Sequence, residues 1–328
     1  MRGSKLFFAA AFSSAVSTLA CGHASLETAA PVQPAAAAKP AAPATAVSPE
    51  PTPRTTPTED PYVSAAPIAA KSIGHTSYVL KVTLEGGAVA AYKPGSTLPL
   101  GKHRYKGEIA AYRLARALGL DNVPQAMPRA FSAAALRSAF PTPKGAADFD
   151  RKAIVDTHGL VHGALMPWIT DYRILPLEDV SWRARWESWL MDPAARIPVE
   201  QESLAASIST MILFDYVTAN WDRWSGGNVA REGADGRLLF VDNDGAFYEH
   251  PAEAPLAAQL EVVHRVVRCS QSFIAALRAI DHAKLREAMG DDTPGTQLLS
   301  DRVISGVETR IKTVLADLDG RGVKPGFR

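Results

Sequence analysis

Cysteine is nearly missing from this chain: Cys21 and Cys269 are the only two in 328 residues. If Cys21 is acylated or cleaved away, no intrachain disulfide can form, and a core must hold the fold. Two cysteines and scattered histidines also lack the spacing of a structural metal cage. A charge excess is missing too, with 35 basic residues against 34 acidic ones. No broad positive field draws in nucleic acid or an anionic membrane, so any partner is chosen by a local site. No internal repeat is visible, and no apolar run is long enough for a comfortable membrane span. What is present is 47% apolar residues, enough to build a core.

The first residues have the layout of an export signal. "MRGSK" is a basic start, "LFFAAAFSSAVSTLA" an apolar stretch ending in small residues, and Cys21 follows. "TLAC" is similar to a bacterial lipoprotein cleavage site, although Thr18 stands where leucine is usual. The expectation is a signal over residues 1–21 and export to a bacterial membrane as an anchored lipoprotein, periplasmic or on the outer surface, with simple secretion as the alternative. Residues 22–70 are dominated by Ala, Pro, Thr and Ser. Such composition removes backbone donors and offers little apolar surface against ordering entropy, so a disordered tether is expected.

From Lys71 the pattern turns globular. "SYVLKVTL" and "AVAAYKP" are β-rich runs around "EGG", a hairpin signal. "KGEIAAYRLARALGL" places Ala111, Leu114, Ala115 and Leu118 on one helical face, with Gly119 suited to the stop. "GLVHGALMPWI" predicts a buried strand ending at Pro167. Beyond Ser181 helices dominate, the strongest in "SLAASISTMILFDYVTAN", with Ser203 as expected cap and Leu204, Ile208, Met211, Ile212 and Tyr216 on one face. "NVAR" and "RLLFVD" predict a short hairpin around "EGADG", and the stretch from Leu256 to Leu318 is helical in pattern. The fold class expected is α+β with two lobes: a strand-rich N-lobe over 71–165 and a mostly helical C-lobe over 166–328.

The hairpin concentrates chemistry. Pairing Val229–Arg231 with Leu238–Val241 brings Asn228 and Asp242 together, since paired strands lie about 5 Å apart. Asp222 precedes them on a turn eased by Gly226 and Gly227. Two carboxylates and an amide oxygen form the hard-oxygen environment that suits magnesium. Asp244 reads either as a second metal ligand or as a turn residue. In the N-lobe, Lys93 lies on a predicted strand and Glu108 near the start of the next helix. A strand lysine locked by a helix glutamate and facing a metal-holding aspartate is a phosphoryl-transfer arrangement, with a triphosphate-sized gap expected between them.

The ordered set "LKVTLEGGAVAAYKP", "HRYKGEIAAYRLARALGLDNVPQAMPR", "DYVTANWDR" and "FVDNDGAF" resembles the atypical secretory-pathway kinases: the Golgi casein kinase, the xylosyl kinase and the Four-jointed group. More distantly it is similar to CotH, HipA and the phosphoinositide kinases. The resemblance spans roughly Gly74 to Phe247 and implies a protein-kinase-like fold binding ATP with Mg or Mn. It implies that Lys93 contacts the phosphates, and that Glu108 pairs with Lys93 or helps hold a metal. By the same resemblance Asp222 would orient the acceptor hydroxyl, Asp242 would be the principal metal ligand, and Asn228, a looser match, would be a further ligand. Gly74 to Ser77 would cover the phosphates, and Met166 would lie near the adenine. Trp224 departs from the relatives' usual histidine, and the animal members' disulfides are missing.

Plainer readings stand beside these. Lys93 and Glu108 could be an exposed ion pair, and Asp242 with Asp244 could cap a turn. Trp182, Trp186 and Trp189 recur at helical spacing and read as packing rather than a sugar-binding wall. His75 and His103 read as surface or capping residues. Besides a kinase acting on a protein or glycan hydroxyl, a nucleotide-binding pseudokinase and a metal-dependent phosphoesterase remain open. A monomer is expected, touching membrane only through the lipid anchor, and export sets the domain where ATP is scarce.

Overall fold

The computed structural model describes residues 60–74, 76–233, 236–323 and 326–327. The expected signal, Cys21, His75 and the tether up to residue 59 lie outside the described residues. One helical turn, α1 (Pro61–Ser64), leads into β1 (Pro67–Ser72). The tether therefore does not run to Ala70 as its composition suggests. "PIAAKS" buries only Pro67 and Ala70, too little apolar surface to give a strand signal, yet it pairs antiparallel with β2 (Leu80–Leu84).

The expected hairpin joins β2 to β3 (Val89–Pro94) through a 3-10 turn at Glu85–Gly87. Gly86 and Gly87 both sit at positive φ there, with open space around them. Helix α2 (Arg104–Ala117) follows. Gly119 takes φ +71°, and Leu120 N–H returns to the Ala115 carbonyl at 2.8 Å, which satisfies the last turn. β4 (Met127–Ser132), α3 (Ala133–Ser138), α4 (Pro143–Lys152) and β5 (Leu160–Pro167) complete a five-stranded antiparallel sheet of order β1-β2-β3-β5-β4. Alternate residues of β2, Leu80, Val82 and Leu84, enter a core that also holds Tyr92, Phe131, Leu136, Phe149 and Val161.

The second half contains β6 (Tyr172–Ile174), α5 (Val180–Met191), α6 (Glu202–Thr218), β7 (Val229–Glu232) and β8 (Leu238–Phe240). Helices α7 (Glu253–Arg265), α8 (Gln271–Ala279) and α9 (His282–Met289) follow, then the hairpin β9 (Asp291–Thr293) and β10 (Thr296–Gln297), then α10 (Asp301–Gly320). Helix α6 is buried almost all round, not on one face. Ser203 does not cap it: a 3-10 turn at Val199–Gln201 runs straight into the helix, and Ser203 lies exposed one residue inside. Trp186 and Trp189 are buried in the helical core and Trp182 packs at its edge, so the tryptophan stripe is packing. His103 is exposed at the start of α2 and makes no capping hydrogen bond. Among the described residues no helix is long and apolar enough to cross a membrane.

The architecture is the expected bilobal kinase-like α+β fold. Helix α2 belongs to the helical core through Ile109 and Leu114, yet packs on β3 and β5 of the sheet. It thereby carries Glu108 to the seam between the two cores.

Candidate active site

Asp222, Asn228 and Asp242 are gathered by the ends of α6, β7 and β8. Helix α6 stops where Ala219 turns left-handed at φ 53°, and the chain folds back so that Asn220 N–H reaches the Asp215 carbonyl at 2.9 Å. Gly226 and Gly227, at φ +86° and +80°, make the return into β7. Strands β7 and β8 pair Val229 with Phe240, and Val241 N–H continues the ladder to the Asn228 carbonyl at 3.2 Å. Asn228 and Asp242 are thus neighbours at the hairpin's open end, as the spacing requires. The Asn228 side-chain amide donates to the Asp222 carbonyl at 2.8 Å and to Ser225 Oγ at 3.1 Å, tying the turn to the strand.

Asp242 adopts φ 54°, a left-handed conformation that aspartate tolerates better than most residues. Residues Asn243–Gly245 then form a 3-10 turn pressed against α2. Two glycines permit this. A Cβ on Gly107 would come within 2.7 Å of the Asn243 carbonyl oxygen, and one on Gly245 within 2.9 Å of Asp222 Cβ. No larger residue lets helix, acidic turn and Asp222 turn approach so closely.

Lys93 is the centre of the assembly. From β3, where it pairs with Ala164 of β5, its side chain reaches the seam and is 3% exposed. Its Nζ donates to Glu108 Oε1 at 2.6 Å, Asp242 Oδ1 at 2.6 Å and Asp244 Oδ2 at 2.9 Å. Glu108 uses its other oxygen to accept from Asn243 N–H at 3.0 Å. The reading of Lys93–Glu108 as an exposed surface pair is therefore excluded. The expected gap between amine and acidic oxygens is corrected as well, because they touch. A buried ammonium must be paired to offset its lost hydration, and all three carboxylates lie within its reach.

The electrostatics follow from that packing. Burial pulls the Lys93 pKa down, but Asp242, Glu108 and Asp244 together outweigh it and hold the ammonium protonated well above its usual range. Burial would also raise Asp242, yet the lysine beside it keeps this carboxylate below the usual value. Asp222 goes the other way: burial raises its pKa, and repulsion from Asp242 and Asp244 adds to the rise.

Asp244 departs from the metal-ligand expectation. It is 1% exposed, and both its oxygens are taken by cations, Oδ2 by Lys93 and Oδ1 by Arg104 Nη1 at 2.9 Å. Asp242 keeps 39% of its side chain exposed. Among the described residues no three of His, Cys, Asp and Glu converge as a ready-made metal cage. The local charge nevertheless fits a divalent cation. Lys93 and Arg104 face Glu108, Asp242, Asp244 and the nearby Asp222, two cations against four carboxylates, all with hard oxygen donors.

Gly74 and Ser77 lie between β1 and β2, which pair antiparallel. A Cβ on Gly74 would fall 2.0 Å from the Ser77 carbonyl oxygen, so this turn requires glycine, and Ser77 is buried. Met166 is half-buried on β5 opposite Ala91, one residue before the strand ends. Cavities of about 380 and about 600 Å³ lie elsewhere, one beside α9 and one beside α6, and neither is lined by an expected site residue.

Sequence reasoning missed Arg223. Its guanidinium is buried and forks onto Asp215 at 3.0 to 3.2 Å. It also donates to the Asn228 carbonyl at 2.8 Å, the Val241 carbonyl at 2.5 Å and Asn243 Oδ1 at 2.6 Å. One side chain thus fixes helix end, hairpin mouth and acidic turn together. The "DR" pair marked its position, but nothing in those two residues signals burial. Trp224 stacks on Trp186 with ring centres 5.5 Å apart, so this departure from the expected motif is used for packing.

No family model matches the sequence, and no curated protein matches it either. Solved structures match the fold. The Golgi casein kinase with Mn/ADP bound superposes with a TM-score of 0.57 at 14% identity, over 80% of this chain and 75% of that one. The structure of hydra Fam20 with sugar gives 0.59 at 17% identity, over 79% of this chain and 86% of that one. The fold is that of these kinases, in agreement with the motif resemblance.

Proposed function

We propose that this protein is a phosphotransferase that moves the γ-phosphoryl group of ATP to a hydroxyl of a protein or glycan, with Mg or Mn. The observation that carries the reading is the convergence of Lys93, Glu108 and Asp242 within 2.6 Å contacts from strand, helix and hairpin. Two cores have to meet for these three residues to touch, and a surface ion pair would not need that. The kinase-like fold supports the same reading.

In this proposal Lys93 gives up its contact with the part-exposed Asp242 to hold a phosphate oxygen when nucleotide binds, and Glu108 keeps the ammonium aimed there. The β1–β2 turn at Gly74–Ser77 covers the phosphates, and Met166 borders the base. Asp242, helped by Asn228, would hold the divalent cation, which when bound neutralises charge on the phosphates. Asp222 orients the acceptor hydroxyl and takes its proton as the oxygen bonds to phosphorus and the bond to the ADP oxygen breaks. Its raised pKa makes it a better proton acceptor than an ordinary aspartate. Arg104, salt-bridged to Asp244, leaves Asp244 as support for Lys93 rather than a metal ligand.

We propose as well that residues 1–21 export the chain and that Cys21 anchors it by lipid, as a monomer acting outside the cytoplasm; a C-terminal tag followed through cell fractionation tests this. The activity is tested with the full chain, γ-labelled ATP and Mg or Mn. Wild type transfers label to itself or to an acceptor, and Asp242→Ala does not. Equal labelling by the two overturns the mechanism. Phosphoester hydrolysis retained in Lys93→Ala would favour a phosphoesterase instead.

A further inference from the structure

Helix α2 carries Glu108, and it is fastened by residues outside the site. Tyr105 donates its hydroxyl to Asp292 Oδ2 at 2.7 Å, and Lys106 Nζ lies 3.3 Å from the same oxygen. Asp292 belongs to β9 in the C-terminal hairpin and is 8% exposed. Two helical turns along, Arg113 donates to the carbonyls of Met289 and Asp291, the latter at 2.9 Å. Between them Gly290 turns at φ +52°, and a Cβ there would stand 3.5 Å from Arg113 Nη1. The segment around β9 therefore grips one face of α2 at two points.

Tyr105 and Glu108 are three positions apart, neighbours along the helix surface. A rotation of α2 that lifted Glu108 from Lys93 would also pull Tyr105 from a buried charged acceptor. Charge-assisted hydrogen bonds of this kind are among the stronger ones in a protein. The grip is separate from the packing of Gly107 on the acidic turn, so the helix is held from two directions.

We propose that Asp292 is a positioning residue: it locks α2 so that Glu108 stays on Lys93, and the ion pair is a fixed feature of this protein instead of a switched one. The catalytic consequence rests on the kinase reading; the lock itself does not.

The test uses the full chain with Tyr105→Phe, which removes one hydroxyl at constant shape, and with Asp292→Asn and Asp292→Ala. Amide hydrogen exchange over residues 104–117 is expected to quicken at least about tenfold in Asp292→Ala while the five-stranded sheet keeps its protection. Tyr105→Phe and Asp292→Asn fall between. ATP affinity by titration weakens about tenfold in Asp292→Ala, and the same change adds nothing in a Glu108→Gln background. Unchanged exchange in α2, equal quickening throughout the chain, or an undiminished affinity loss beside Glu108→Gln overturns the lock. A wild type that transfers no phosphoryl group refutes the functional reading alone, and the exchange result still decides the lock.

Discussion

The five-stranded sheet and the segment from Ala219 to Phe247 are built by different rules. In the sheet, neighbouring strands all pair antiparallel and β2 buries every second residue without interruption. The left-handed residues of the turns joining its strands are glycines, Gly86, Gly87 and Gly159, which turn in open space; Leu100, in the turn after β3, is the exception. Residues 219–247 instead contain Ala219, Asp242 and Phe247 at positive φ, three of the four non-glycine residues so placed among the described residues. Each such residue costs on the order of 1–3 kcal/mol and persists only where its surroundings over-determine it. Here those surroundings are the buried Arg223–Asp215 pair and the Lys93 junction. The regular half supplies a platform, while the strained half holds acidic groups where repetitive structure would not put them.

Breaking the strained half at its exposed carboxylate should give the largest effect. Asp242→Ala is expected to lower phosphoryl transfer roughly 10²–10³-fold or more, with the fold kept, as steady-state rates and circular dichroism will report. Arg223→Met attacks the scaffold and leaves Asp215 buried without its partner. Loss of one member of a buried pair costs about 3–5 kcal/mol, readable by urea denaturation, and Asp215→Leu on top should restore part of it. Gly107→Ala separates packing from propensity. Alanine favours a helix by about 1 kcal/mol, yet its Cβ meets the Asn243 carbonyl oxygen at 2.7 Å. Because that oxygen belongs to the backbone and cannot swing aside, stability should fall by about 1–3 kcal/mol despite the better propensity, and transfer should fall about tenfold.

Asp222→Asn should lose transfer yet be more stable than wild type at neutral pH. A carboxyl with a raised folded-state pKa penalises the fold once ionised. The stability difference should therefore fade as pH falls through that raised pKa toward the ordinary aspartate value. In wild type the acid limb of the rate profile should lie above the usual carboxylate range. The smallest effect is expected on the platform: Arg137→Ala removes an exposed pair with Asp150 on α3 and α4 and should shift stability by no more than about 0.5 kcal/mol.

This contrast also governs how much of the protein was legible in advance. Strand β2 and helix α2 were visible because their apolar residues recur with a clear period, and β3, β5 and α6 because apolar runs of the right length stand between turn residues. β1 was not, since alanine and proline beside a low-complexity stretch carry no such period. β6 was hidden by its length, three exposed residues whose only reason to be extended is pairing with β7. At the site, Lys93, Glu108 and Asp242 were identified by type and order. Arg223 was overlooked because an arginine beside an aspartate has no local signature of burial.

The amino-acid sequence by itself determined the two-part layout, the hairpin that brings Asn228 to Asp242, and which side chains carry charge toward the seam. Those follow from periodicity, glycine placement and residue chemistry, which act over a few neighbours. Only the tertiary structure decided that Lys93 touches Asp242, that Asp244 is consumed by Lys93 and Arg104, and that Asp292 grips α2 from the far end of the chain. Burial selects those partners, because a desolvated charge takes whichever opposite charge packing delivers, regardless of how many residues lie between them.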